Sequence, residues 1–333
     1  MVIALGARVE QSFRRAIANV TRHGDTDIFP FPIENHVFFD QIEATISALG
    51  EIHRDFRSNL TEYPPSNISA LAPVSYTGFR WATQIDPLWN LYFLAIVLEI
   101  SDEIEKERVP TKSGVVHSYR ISWNEDLSKI FDDRYSWRSF IEHSIEAAKK
   151  YKFVVICDIS EFYSRIGHHR IENALAHLNL GSDIPDRIMR FLSNFSNTNS
   201  FGIPIGGPAA RIISELTLNQ VDQLLVLQGI EYCRYSDDFH LFANSEEEAF
   251  SNLLFLTEKL QRTQGLQLQK SKTRIMSSAE FVATSPIRAD DHDVSEMDDD
   301  SNPHRGARNL LSLSLKFDPY SPTAEDDYEE LRE

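Results

Sequence analysis

The sequence predicts an α+β fold, a small antiparallel sheet packed by helices behind a helical N-terminal region. Three observations predict it. Phe153-Val154-Val155-Ile156-Cys157 is an unbroken apolar run of strand length, as expected of a strand buried on both faces. Ile230-Glu231-Tyr232-Cys233-Arg234 and Phe239-His240-Leu241-Phe242 read as two more strands, and Tyr235-Ser236-Asp237-Asp238 between them reads as a hairpin tip. Elsewhere the apolar residues recur mainly at helical spacing.

Taken in order, residues 1–60 show that spacing, for example at Phe38, Ile42, Ile46 and Leu49. Residues 61–80 are rich in Pro, Ser and Tyr and predict a connection. A long helix is expected over 81–107, ending before Pro110, and its stretch Leu88 to Leu98 predicts a buried helix too short to span a bilayer. Residues 111–123 predict a hairpin, and 133–150 a helix with Trp137, Phe140, Ile141 and Ile145 on one stripe. Helices are expected over 168–180 and 184–196. Pro208 suits the first turn of a further helix, continued by Ile212 to Leu225. Another runs from Glu246 to Leu260. Residues 290–304 predict a solvated acidic linker. The acidic end, Asp327 to Glu333, predicts the first turn of a helix that continues further.

The 333 residues carry a net charge of −17, with 42% hydrophobic and 25% charged residues. That length can bury a large core. The acid is concentrated: residues 285–333 hold 14 Asp/Glu against 5 Lys/Arg. Any grip on a nucleic-acid backbone must therefore come from locally grouped basic residues, and binding should be weak and salt-sensitive. Cys157 and Cys233 are the only cysteines and read as small buried hydrophobes in a reducing, cytoplasmic compartment. Two cysteines are too few for an ordinary zinc site. Arg8 and Glu10 interrupt the N-terminus, so no signal peptide is expected, and no membrane partner.

The chemistry is carried by acids at strand ends. Asp237 and Asp238 repel each other, and Asp158 ends the buried strand, where an acid serves stability poorly. A divalent cation is the usual reason for such a set. Phosphoryl transfer to a nucleotide uses two such ions roughly 3.5–4 Å apart. Asp158 and Asp237 are expected to bridge them, with Asp238 as the supporting acid.

The motifs resemble the polymerase domain of reverse transcriptases. Asp158-Ile159-Ser160-Glu161-Phe162-Tyr163 is similar to the first palm motif and Tyr235-Ser236-Asp237-Asp238 to the Tyr-x-Asp-Asp box. Gly202-Ile203-Pro204-Ile205-Gly206-Gly207-Pro208-Ala209-Ala210-Arg211 resembles the template- and nucleotide-supporting motif. Gly265-Leu266-Gln267-Leu268 with Lys272-Thr273, and Ser118-Tyr119-Arg120 upstream, complete five motifs in the family's order over residues 118–273. The resemblance implies fingers and palm, with an antiparallel palm sheet and no ordinary thumb. Residues 1–110 would be a helical N-terminal and fingers region, 111–150 a fingers hairpin and helix, 151–289 the palm, and 305–333 the start of a C-terminal helical region. It implies an RNA-directed DNA polymerase using Mg²⁺ (Mn²⁺ as the alternative ion), with RNA, DNA and dNTPs as partners. The metal set is Asp158, Ile159 and Asp237. Arg120, Tyr163, Gly206 and Lys272 are expected at the nucleotide, Arg120 on the triphosphate, Tyr163 beneath the sugar as a gate against a 2′-hydroxyl, and Lys272 as a proton donor to pyrophosphate. Tyr235 and Arg211 are expected at template and primer.

Ile205 stands where intron-encoded and retron enzymes usually carry Gln. With Ser214-Glu215-Leu216 and the segment Leu311 to Ala324, this resembles the bacterial abortive-infection and defence-associated reverse transcriptases, which implies phage defence. A noncoding RNA, a second copy of the chain, or a second protein supplying a helical domain are the further partners this implies. Two alternatives stay open: untemplated or protein-primed synthesis on the same fold, and a catalytically silent scaffold subunit.

Overall fold

The computed structural model describes residues 6–26, 32–73, 79–196 and 199–285. The acidic linker expected over 290–304 and the helical start expected over 305–333 lie outside them.

The N-terminal helices are α1 (Ala7–His23), α2 (Ile33–Asp40), α3 (Ile42–Arg54) and α4 (Phe56–Glu62). A hairpin follows, β1 (Asn67–Pro73) paired in register with β2 (Phe79–Ile85), where a connection and the start of a long helix were expected. The helix starts later because Asp86 caps it: its carboxylate accepts the N–H groups of Leu88 and Trp89, and Pro87 takes the first turn. This α5 (Pro87–Glu99) is apolar all round and buried nearly throughout, as its sequence requires. Ile100 leaves helical geometry and separates it from α6 (Ser101–Glu107).

Residues 111–123 do not form their own hairpin. Val115 and His117 instead bond to the backbone of Arg234, and the hairpin is displaced to β3 (Ile121–Asn124) and β4 (Lys129–Phe131). The edge left open by the central sheet is thereby partly covered. Next come α7 (Trp137–Ala148), with Ser136 in a reciprocal capping box, and β5 (Phe153–Asp158). The short α8 (Phe162–Arg165) leads to α9 (His168–His177) and α10 (Ile184–Phe195). The helix α11 (Pro208–Gln228) begins with Pro208 at its first turn and stops at Gly229, whose φ of 73° suits glycine. The hairpin β6 (Tyr232–Tyr235) and β7 (Asp238–Ala243), then α12 (Glu246–Lys259), β8 (Arg274–Ser277) and α13 (Ser278–Thr284) complete the described chain.

The central sheet has the order β6-β7-β5-β8, with every neighbouring pair antiparallel. Its two inner strands explain the apolar run. Val155 and Cys157 of β5, with Phe239 and Leu241 of β7, enter the large core shared with α5 and α11. Val154 of β5 and Phe242 of β7 enter a smaller core on the other face, built around Phe140 of α7. Alternation along the strands then carries Asp158 and Asp238 onto the α7 side, one step beyond the apolar residues. Both cysteines are buried and free; burial pushes the Cys233 thiol up to about 12, and Cys157 is raised as well. Among the described residues, no helix is long and apolar enough to cross a membrane.

Candidate active site

Asp158 and Asp238 are direct register partners across β5 and β7. Asp237 occupies the two-residue turn between β6 and β7, so the turn sets all three acids at one end of the sheet. The first turn residue, Ser236, takes φ 54°, a left-handed conformation that costs a non-glycine residue energy. The Asp237 carbonyl accepts the N–H of Ile159, and the Asp158 carbonyl accepts that of Gln269, which locks the turn and the 266–269 segment to the end of β5.

The acids open into a cleft of ≈ 510 Å³. Its walls include Tyr163, Gly206, Arg211, Tyr235 and Lys272, so most of the predicted residues converge here. A second cavity of similar size, ≈ 500 Å³, lies between α9 and α11; amide side chains dominate it and no acid pair enters it, so the chemistry is assigned to the first. Burial, then the charge of Asp158, raises Asp237 to about 6. Burial, then the charges of Asp237 and Asp158, raises Asp238 to about 7. Lys272 is hydrogen-bonded to Asp158, and this bond raises the Lys272 pKa; its side chain is otherwise 65% exposed.

The donor set fits a hard divalent cation. Carboxylates of this kind, held against one another at a cost in charge repulsion, gain most from an ion of opposite sign. Among the described residues, no three acidic, His or Cys side chains already close around one point. Mg²⁺ requires no such cage, since it takes one or two carboxylates and completes its shell with water and phosphate. Ile159 can offer only its backbone carbonyl, because its side chain is a hydrocarbon with no ligating atom.

The walls are aromatic and cationic. Tyr235 meets Trp137 edge-on at 5.6 Å and Tyr119 at 5.7 Å, and the Arg211 guanidinium lies 5.1 Å from the centre of the Tyr119 ring. Trp137, which sequence reasoning assigned to the core stripe of its helix, is 44% exposed and lines the cleft. Gly206 requires its glycine, with φ 103°. At Gly207 a Cβ would meet the Asp25 carbonyl at 3.2 Å, a tight contact that favours glycine.

Arg120 does not reach the cleft. It is 2% exposed and pairs with Glu105 at 3.0 Å while donating to the Val109 carbonyl at 2.7 Å. The neighbouring Tyr119 is the residue of this segment that faces the acids. Exposure of the segment could not be read locally, because its partner Glu105 sits on α6. Arg120→Met should therefore lower stability by about 1–3 kcal/mol, the cost of the lost charge-assisted hydrogen bonds, since Glu105 keeps its pair with Arg108 at 3.1 Å, and leave the KM for dNTP within about 2-fold. A raised KM with unchanged melting would instead put the guanidinium on the triphosphate.

Residues 106–298 match the sequence profile of the reverse transcriptase (RNA-dependent DNA polymerase) family, more than half of the chain. The chain belongs to that family. Its mixed helices and antiparallel sheets are the architecture expected of a reverse transcriptase. The reverse transcriptase is also similar to two solved telomerase structures. One is telomerase from Candida albicans in complex with a fragment of telomeric RNA, with TM-score 0.41, 14% identity, and coverage of 66% of this chain and 45% of that one. The other is apo telomerase from Candida tropicalis truncated from the C-terminal domain, with TM-score 0.45, 12% identity, and coverage of 68% and 55%. The chain thus spans about half the length of these structures. No curated protein matches it.

Proposed function

We propose that this reverse transcriptase is an RNA-directed DNA polymerase that adds dNTPs at the cleft bounded by Asp158, Asp237 and Asp238. The observation that carries the reading is the convergence of these acids at the ends of paired strands in a cleft also lined by Tyr163 and Gly206. Family membership supports the same reaction class.

Asp158 and Asp237 would hold Mg²⁺, joined by the Ile159 carbonyl, and Asp238 adds its charge beside them. Bound Mg²⁺ supplies Lewis-acid stabilisation to the attacking and leaving oxygens of an in-line displacement. The chain's own residues do the positioning. Ile205 and Gly206 form wall where the incoming nucleotide sits, and Arg211 and Tyr235 face template and primer. Lys272, held protonated by its contact with Asp158, is placed to give a proton to the departing pyrophosphate. The half-buried ring of Tyr163 stands beneath the sugar. Tyr163→Val should lower discrimination against ribonucleotides by about 10–100-fold with little change in dNTP use, read from single-turnover rates with paired dNTP and rNTP. A loss of stability with unchanged discrimination would reduce Tyr163 to a core aromatic.

In this reading residues 111–150 serve as fingers and 151–289 as palm, and the enzyme acts in anti-phage defence, as the resemblance around Ile205 and over 311–324 suggests. The test is incorporation by purified full chain with Mg²⁺, each labelled dNTP alone and all four together, with and without copurified RNA. RNase-sensitive synthesis that needs all four dNTPs supports templated polymerisation. Long product from a single dNTP replaces it with untemplated synthesis, and no incorporation by folded protein favours a scaffold. Phage challenge of cells carrying wild type or Asp237→Asn tests the defence role.

A further inference from the structure

We propose that Arg234 and Arg108 are positioning residues: one buried ionic network clamps two of the three left-handed non-glycine residues of the cleft walls, Ser236 beside Asp237 and Tyr119 opposite it, the third being Glu161. The proposal rests on the assignment of Asp237 to metal binding.

Arg234 is 0% exposed, two residues before the turn. A guanidinium has five N–H donors, and all five are used. Nε and Nη2 donate to the Asp222 carboxylate at 2.9 and 2.5 Å. Nη1 and Nη2 donate to the Glu215 carboxylate at 3.1 and 2.9 Å. The remaining Nη1 proton goes to the Ser236 carbonyl at 2.8 Å. Glu215 and Asp222 lie two turns apart on α11, so one helix face presents both acids.

Glu215 passes the connection on. Its carboxylate also accepts Ser118 Oγ and Arg108 Nη2, each at 2.6 Å. Arg108, itself buried, donates to the Tyr119 carbonyl at 2.7 Å and the Ser118 carbonyl at 2.8 Å. Arg108 also meets, at 3.1 Å, Glu105, which pairs with Arg120, so three arginines and three acids balance in charge across the network.

Stability alone does not require this arrangement, since apolar side chains of similar volume commonly fill such a space at least as well. The network does something an apolar core cannot. Tyr119 has φ 47° and Ser236 has φ 54°, both unfavourable for residues with a side chain. The carbonyl of each is held by an arginine of this one network. Both residues line the cleft, and α11, which bears the bridging acids, begins beside Gly206 in the same wall. The turn that aims Asp237 and the wall that faces it are therefore set relative to each other through α11.

Arg234→Lys keeps the charge and loses the five-donor fork. In the full chain it should still melt cooperatively. Its kcat should fall about 10–100-fold, the size expected when reacting groups are misplaced by a fraction of an ångström to 1 Å, with the KM for dNTP within about 3-fold. Mn²⁺ affinity, measured by water-proton relaxation without nucleotide, should weaken about 5–10-fold. A variant that melts lower yet keeps wild-type kcat and Mn²⁺ affinity overturns the proposal. If Arg234→Lys does not fold, Glu215→Gln, which keeps the side-chain shape, is read against the same two outcomes. If wild type incorporates no nucleotide, the polymerase reading fails by itself, and Mn²⁺ affinity alone decides the network. If Asp237→Asn leaves Mn²⁺ affinity unchanged, the metal assignment fails and takes the proposal with it.

Discussion

Asp237→Asn is expected to abolish nucleotide incorporation, by about 10³-fold or more, and to leave the fold intact. A loss of that size raises the barrier by about 4 kcal/mol, within the range for removing one preorganised electrostatic contact from a reacting centre. The fold should survive because Asp237 contributes repulsion, not cohesion. Burial raises its carboxyl to about 6, and the charge of Asp158 adds to the effect. Asparagine retains the shape and removes the charge. Its backbone carbonyl, which accepts Ile159 N–H, is unaffected. Loss of activity with an equal or higher melting temperature is therefore the specific signature, checked by single-turnover incorporation beside thermal melting. Loss of activity through unfolding would mean that the acid is structural. Retained activity would favour the scaffold.

The acids were legible because two different patterns intersect at them. A strand of period two, buried on both faces, reads as a continuous apolar run, and an acid ending it is conspicuous; Asp158 and the Asp237-Asp238 pair both satisfy this. The start of α11 at Pro208 was legible for the same kind of local reason. The β1–β2 hairpin was not, since Asn67 to Pro73 has no strong strand composition; yet Asp86-Pro87 was a usable cap signal for where α5 begins. What stayed hidden was long-range. Arg120 looked like a free cation because Glu105 lies 15 residues away on another element. Arg234 lies in a run that reads as a strand, and Glu215 and Asp222 lie among the apolar residues of α11, with nothing local to join them. Only the packing of β6 against α11 turns those three into a closed set. Charges inside apolar segments were the available signal, and their pairing could not be deduced from spacing.

Asp238→Asn should stabilise the protein in the absence of divalent cations at pH 8 and have little effect below about pH 4. Burial and the charges of Asp237 and Asp158 raise the Asp238 carboxyl to about 7, while an unfolded aspartate titrates near ~3.9. For an acid raised in this way, the native state binds the proton more tightly than the unfolded state. Its favourable contribution is complete below the unfolded value and is lost as pH rises through about 7. Asparagine mimics the protonated form at every pH, so the difference from wild type should open from about pH 4 and be complete above about pH 7. The whole-protein profile alone would mislead, because His53, His117 and His240 are lowered by burial to about 4, about 4 and about 3 and oppose the acids over the acidic part of this range. They are common to both proteins and cancel in the comparison. Lys272 stays charged throughout, its own pKa being raised by Asp158. The expected gap at pH 8 is roughly 2–5 °C in melting temperature. Adding Mg²⁺ should close it, since a cation relieves in wild type the repulsion that asparagine removes, and the Mg²⁺ effect on wild type should fade below about pH 6 as Asp237 and Asp238 take up protons. A gap that does not change with pH, or that Mg²⁺ leaves untouched, would separate Asp238 from the cation site and assign its burial to packing against β5 alone.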